Sequence, residues 1–122
     1  MKLKRLSPNA FDRLAKLTRL QPAAVALARA VLVDGKSRVV VAKDAGFTRA
    51  RVQLAVAAIE RKYLEGVDVG GTPITVQLTL PPSLARALST LSEALAGVHQ
   101  DIAELCAANV EAAVAAELAK LK

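Results

Sequence analysis

The sequence predicts a mainly α-helical protein in three parts: an N-terminal helix-turn-helix bundle, one β-strand pairing across a dimer, and a helical C-terminal tail. Three observations predict it. Ser37 to Tyr63 reads as two short helices joined at Gly46. Ile74 to Leu80 alternates apolar and polar residues without a fault, the period of a half-buried strand. From Leu84 the apolar residues step 4, 3, 4, 3, 4, 3 to Leu105, the spacing of a helix that packs along another helix. The expected parts are residues 1–65 as a helical domain with its helix-turn-helix at 37–63, a linker at 66–73, and a strand plus helical dimerisation region at 74–122.

Composition narrows the class. Aromatic residues are few (Phe11, Phe47 and Tyr63), so any core is aliphatic and alanine-rich, which favours helices. The net charge of +6 is uneven: residues 1–65 hold 14 Lys/Arg against 5 Asp/Glu, whereas residues 82–122 hold 3 against 5. A basic front and a mildly acidic back suggest that one part meets a polyanion and the other meets protein. No apolar run approaches the roughly 20 residues of a membrane span, and no apolar signal core follows the basic MKLKRLSPNAF, so a cytoplasmic location is expected. A single cysteine, Cys106, cannot close an internal disulfide, in keeping with a reducing compartment.

Along the chain, Ser7-Pro8 starts a first helix, with serine capping and proline at the first helical position. Phe11, Leu14, Ala15 and Leu17 form its apolar face. Gln21-Pro22 opens a second helix that is apolar nearly all round and ends at Asp34-Gly35, the expected centre of the first domain. Arg38 to Ala42 (RVVVA) has strand propensity. It is nevertheless expected to be helical, because Ser37 can cap it and the Ala42/Gly46 spacing of a helical corner requires it. Val41, Ala45, Phe47, Val52 and Ala55 fall where such a corner must be apolar, and Thr48 falls where the second helix needs an N-cap. That helix runs from Arg49 to about Leu64, with Val52, Ala55, Val56, Ile59 and Tyr63 on one stripe. An ordinary helical hairpin is the plain alternative.

Gly66 to Pro73 (GVDVGGTP) reads as a polar link. The strand beyond it has no evident partner in the chain, so its backbone groups call for the same strand of a second copy. Ile74, Val76, Leu78 and Leu80 form its apolar face, and Leu84, Leu88, Leu91 and Leu95 continue the dimerisation surface. Past Pro81-Pro82 two readings stand. The heptad phase runs unbroken across Gly97, which argues for one helix; Gly97 itself argues for two.

The outward edge of the second motif helix carries the candidate chemistry. Arg49 has the planar fork that matches the two major-groove acceptors of guanine. Gln53, one turn later, suits adenine or phosphate, Leu54 suits a thymine methyl, and Ala50 and Ala57 let the helix lie deep. Lys36, Arg38, Lys43 and Arg51, with Arg61, Lys62 and Thr48, are candidate phosphate contacts, which position a protein without specifying sequence. Thr75, Gln77 and Thr79 are a weaker choice of reader. No Ser/His/acid constellation assembles. His99 and Cys106, the sole residues of their types, are seven apart and form no metal-ligand spacing, so no catalysis, metal or cofactor is expected. GVDVGG lacks the lysine and following helix of a phosphate loop.

ARAVLVDGKS (Ala28 to Ser37), VAKDAGFTRARV (Val41 to Val52) and VQLTLP (Val76 to Pro81) resemble the TrfB/KorA family of plasmid-encoded transcriptional repressors. The similarity runs from near Leu6, through Phe11, to about Pro81, and is most specific in VLVDGK with GxTR beginning ten residues after the lysine. The resemblance implies a homodimeric, operator-binding repressor of replication, transfer and maintenance genes, dimerising after the helix-turn-helix. It places Thr48 and Arg49 at the start of the recognition helix. The family pattern has glutamine where this chain has Leu54, while here the amide comes one residue earlier, at Gln53; the tail beyond Leu84 is longer and richer in alanine.

The expected function is therefore sequence-specific repression at a pseudo-palindromic DNA operator, with a second copy as partner and a co-repressor protein as a further candidate. The rivals are a protein-interaction module, antitoxin-like or adaptor, and a non-specific architectural DNA binder.

Overall fold

Three hydroxyl side chains each stand one residue before a helix and each caps it. Ser7 Oγ accepts from the Ala10 amide, Ser37 Oγ from Val40 and Thr48 Oγ1 from Arg51, all at 3.2 Å. Each satisfies an amide that the first turn leaves without an internal partner. The computed structural model describes residues 1–122. In order the elements are β1 (Lys2–Arg5), α1 (Pro8–Ala15), α2 (Pro22–Leu32), α3 (Arg38–Ala45), α4 (Arg49–Leu64), β2 (Thr75–Gln77), α5 (Pro82–Ala96) and α6 (Gln100–Leu121). The fold is mainly helical, with one small antiparallel sheet. It divides into two units, Met1–Leu78 and Thr79–Lys122.

In the first unit α2 is central, packing on α1, α3, α4 and β1. Leu27, Ala28, Val31 and Leu32 of α2 are buried with Phe11 and Leu14 of α1 and with Val52, Val56 and Ile59 of α4. β-Branched Val39, Val40 and Val41 do sit in a helix, because Ser37 starts α3 and packing of Val41 and Ala42 holds it. α1 ends two residues earlier than its apolar pattern, at Ala15, and leaves Leu17 half exposed at 53%.

The α2–α3 turn depends on Gly35. Its φ is +75°, a left-handed conformation that costs an L-residue side chain roughly 1–2 kcal/mol. A Cβ there would also lie 2.5 Å from Nη1 of Arg5, whose guanidinium crosses the turn to donate from Nη2 to the Val33 carbonyl at 2.8 Å. Gly35→Ala is therefore expected to lower stability by about 1–2 kcal/mol in urea denaturation. Gly71→Ala, where nothing lies within 4 Å and φ is not positive, should stay within about 0.5 kcal/mol.

The strand expected to cross a dimer finds its partner within the chain. β2 pairs antiparallel with β1, in the register Lys2 with Gln77, Leu3 with Val76 and Arg5 with Thr75. β2 covers three residues, fewer than the alternation from Ile74 to Leu80. Ile74 and Val76, assigned to dimerisation, pack instead against the core of their own unit, while Leu78 is 50% exposed. β1 satisfies the backbone groups that had seemed orphaned. Nor is 66–73 a bare link: Val67 and Val69 pack on the core, Asp68 accepts from the Gly70 amide at 2.8 Å, and the division between units falls after Leu78.

The second unit consists of α5 and α6, and the chain breaks between them. Gly97 ends α5, and His99 Nδ1 accepts from the Asp101 amide at 3.3 Å to cap α6. That cap decides between the two readings of the heptads. Leu88, Leu91 and Leu95 are half-buried on α5, but on α6 the half-buried positions are Ala103, Cys106, Ala107 and Val110. Ile102 and Leu105, which would continue a single seam, are 59% and 65% exposed, and no residue of either helix is fully buried. No helix is long and apolar enough to cross a membrane.

Candidate nucleic-acid interface

The corner between α3 and α4 is built around one backbone conformation. Gly46 has φ +73° and ψ +25°, the Phe47 amide donates back to the Ala42 carbonyl at 2.9 Å, and the Gly46 amide reaches Lys43 at 3.4 Å. This pair of bonds ends a helix through a left-handed glycine and turns the chain at once. Thr48 then opens α4. Val41 and Ala42 are buried on the α3 side and Val52 and Ala55 on the α4 side. Ala45, expected inside the corner, is exposed: it borders an open apolar groove of about 330 Å³ with Ala23, Ala26 and Phe47. Phe47 is half-buried.

With that stripe turned inward, the leading edge of α4 is turned outward. Arg49, Ala50, Arg51, Gln53 and Leu54 are all exposed, Leu54 at 71%, and Ala57 one turn on is half-buried. An exposed leucine of this degree on an otherwise well-packed helix has no role in the core of its unit. Arg38 Nε, from the first turn of α3, donates to Gln53 Oε1. The bond ties the two motif helices at their solvent side. It leaves the Gln53 amide NH₂ as an outward donor and Oε1 with a second lone pair. Thr48 Oγ1 uses its acceptor capacity in the cap, which leaves the hydroxyl hydrogen free to donate.

The cations divide by location. One open cleft of about 480 Å³ is lined by Lys4, Arg5, Lys36, Arg38 and Arg49. An adjoining one of about 500 Å³ is lined by Lys2, Arg38, Arg49, Ala50 and Gln53. Arg38 and Arg49 border both, and no Asp or Glu lines either. Such a lining attracts anions. Arg51 is instead stacked on Phe47, its guanidinium carbon 5.0 Å from the ring centroid. Lys62 pairs with Glu65 at 3.2 Å. Arg61 stands twelve residues beyond Arg49, about 18 Å along the helix at 1.5 Å per residue, and it and the exposed Lys43 border neither cleft. The structure thus gathers Lys36, Arg38, Arg49, Ala50 and Gln53, and leaves Lys43, Arg51, Arg61 and Lys62 apart from them.

Lys2, Lys4 and Arg5 were not among the expected contacts. Their signal was the alternation Lys2-Leu3-Lys4, which becomes meaningful only once Leu3 is known to be buried, at 1% exposure. His99 and Cys106 lie in the second unit, and the structure brings no group of metal-ligating residues together. No family model matches the chain, and no curated protein proves similar to it.

Proposed function

We propose that this chain is a sequence-specific DNA-binding transcriptional repressor, probing the major groove with the leading edge of α4. The observation that carries the reading is the exposed set Arg49, Ala50, Gln53 and Leu54, set beside two clefts lined by cations and no acid. Arg49 would read guanine, Gln53 an adenine edge or a phosphate, and Leu54 a thymine methyl. Lys36 and Arg38 would hold the backbone. The protein would repress by occupying its operator and excluding RNA polymerase, in the cytoplasm and without catalysis. The resemblance to TrfB/KorA repressors adds a plasmid setting to this reading.

The same reading makes the protein a homodimer through its second unit. Leu84, Ile102 and Leu105, with Val114, Leu118 and Leu121, are exposed there, and apolar surface of this kind calls for a partner. Two copies would match a pseudo-palindrome with half-sites about 10–10.5 base pairs apart, or a multiple of that. Selection of bound duplexes from a random pool at stated salt tests the proposal. It predicts enrichment of a two-fold symmetric motif; recovery of no motif from a protein that still binds duplex would indicate an architectural binder instead. The same exposed residues favour a second reading, a protein-interaction module. A stoichiometric protein partner together with indifference to all duplexes would support that one.

Arg61→Ala offers a separate check. Arg61 is exposed beyond the base-reading positions and makes no ion pair. Its loss should weaken specific and non-specific duplexes alike and reduce the slope of log K against log salt by about 0.9, one phosphate contact. Sequence preference should not change.

A further inference from the structure

The N-terminal strand presents three consecutive features that a purely structural strand does not need. Leu3 and Leu6 are both buried, at 1% and 4%. They are three residues apart, an odd spacing that strict alternation would send to opposite faces. The register breaks between Leu3 and Arg5, so that Lys4 is an extra residue in the ladder. A bulge of this kind re-aims side chains, and here it lets Lys4 and Arg5 both turn to solvent before Leu6 returns to the core. Alternation about Leu3 already exposes Lys2 and Lys4, and the bulge exposes Arg5 as well.

The strand is also held firmly where it lies. Arg5 donates to the Val33 carbonyl at 2.8 Å, the Leu6 amide donates to the Leu32 carbonyl at 2.9 Å, and the ladder to β2 closes the other side. Arg5 is thereby committed to the α2–α3 turn, while Lys2 and Lys4 have no carboxylate within ion-pair distance. Lys2 shares its cleft with Arg49, Ala50 and Gln53; Lys4 shares the adjoining one with Lys36 and Arg49.

We propose that β1 is a second, backbone-directed grip: Lys2 and Lys4 bind phosphodiesters of the DNA strand flanking the groove that α4 occupies. Two residues of a strand span about 6–7 Å, so the two ammonium groups can serve neighbouring phosphates of one strand. Ammonium groups act as point charges and do not discriminate bases, so the grip positions α4 without adding sequence information. The proposal rests on the DNA-binding reading above, and assigns to it residues outside the helix-turn-helix.

The test compares full-length wild type, the double variant Lys2→Ala/Lys4→Ala, the charge-preserving Lys2→Arg/Lys4→Arg, and Arg49→Ala. Each is titrated against the selected operator duplex and a random duplex across a range of salt. The alanine pair should weaken both duplexes and lower the salt slope by about 1.8, two contacts at 0.9 each, with unchanged preference for the operator. The arginine pair should restore the slope. Both lysines are exposed, so thermal melting should not move. If the alanine pair keeps the wild-type slope while Arg49→Ala loses affinity, the grip is refuted and the DNA reading stands. If wild type binds neither duplex, both are refuted.

Discussion

Replacing Phe11 with alanine is expected to destabilise the first unit by about 3–5 kcal/mol, the cost of truncating a fully buried aromatic. Phe11 is the largest side chain with no exposure, and the two other aromatic residues, Phe47 and Tyr63, are half-buried. It sits mid-way along an eight-residue helix that holds to the rest of the unit by Ala10, Phe11 and Leu14. The surrounding Leu, Val and Ile side chains are branched and already close-packed, so they can collapse only partly into the space left. The Arg29 guanidinium over the ring, 5.7 Å from its centroid, loses its partner too, although it keeps Asp12 at 2.8 Å. Against a typical domain stability of about 5–15 kcal/mol, this is a large fraction, and the melting temperature should fall by more than about 10 °C. Leu17→Ala, two turns on but half exposed, should cost under about 1 kcal/mol. Equal effects of the two substitutions in urea denaturation would mean that α1 is not docked through Phe11.

Arg49→Ala should act almost wholly on binding. Its side chain is exposed at the first position of α4, and the Thr48 cap is made by Thr48 itself, so helix and fold remain. Loss of one bidentate contact to guanine should weaken operator binding by about 1–3 kcal/mol and relax preference at one position in each half-site. Thermal stability should stay within about 0.5 kcal/mol of wild type. Thr48→Ala should show the opposite balance, with about 1 kcal/mol lost from stability through the missing cap. Survival of both affinity and base preference in Arg49→Ala would remove α4 from the role of reader.

Local chemistry makes the starts of α1, α3 and α4 and the corner at Gly46 legible in the sequence. Ser7, Ser37, Gly46 and Thr48 each act within five residues of their own position, through a cap or a left-handed turn, and α3 and α4 begin where those residues place them. Long-range pairing was not legible in the same way. β1 has four residues, too few for a periodic signal, and its partner residues lie 70 to 75 positions further on. Because β1 gives no periodic signal, the sequence leaves β2 without a partner, points to a second copy to supply one, places Ile74 and Val76 in that contact, and gives Lys2 and Lys4 no role. In the tail, the heptad spacing persisted through Gly97 because apolar spacing does not register a cap. Gly97 ends α5, and the His99 side chain starts α6. The solvent-facing edge of α4, by contrast, is legible because a strongly apolar stripe fixes the opposite face of the same helix.

Backbone amide shift mapping during titration with the selected operator duplex tests the central claim most directly. Perturbations should concentrate at Lys2 to Arg5, at Lys36 to Arg38 and at Thr48 to Leu54, and leave α5 and α6 unperturbed. Perturbations confined to α5 and α6, or none at any duplex concentration, would contradict it.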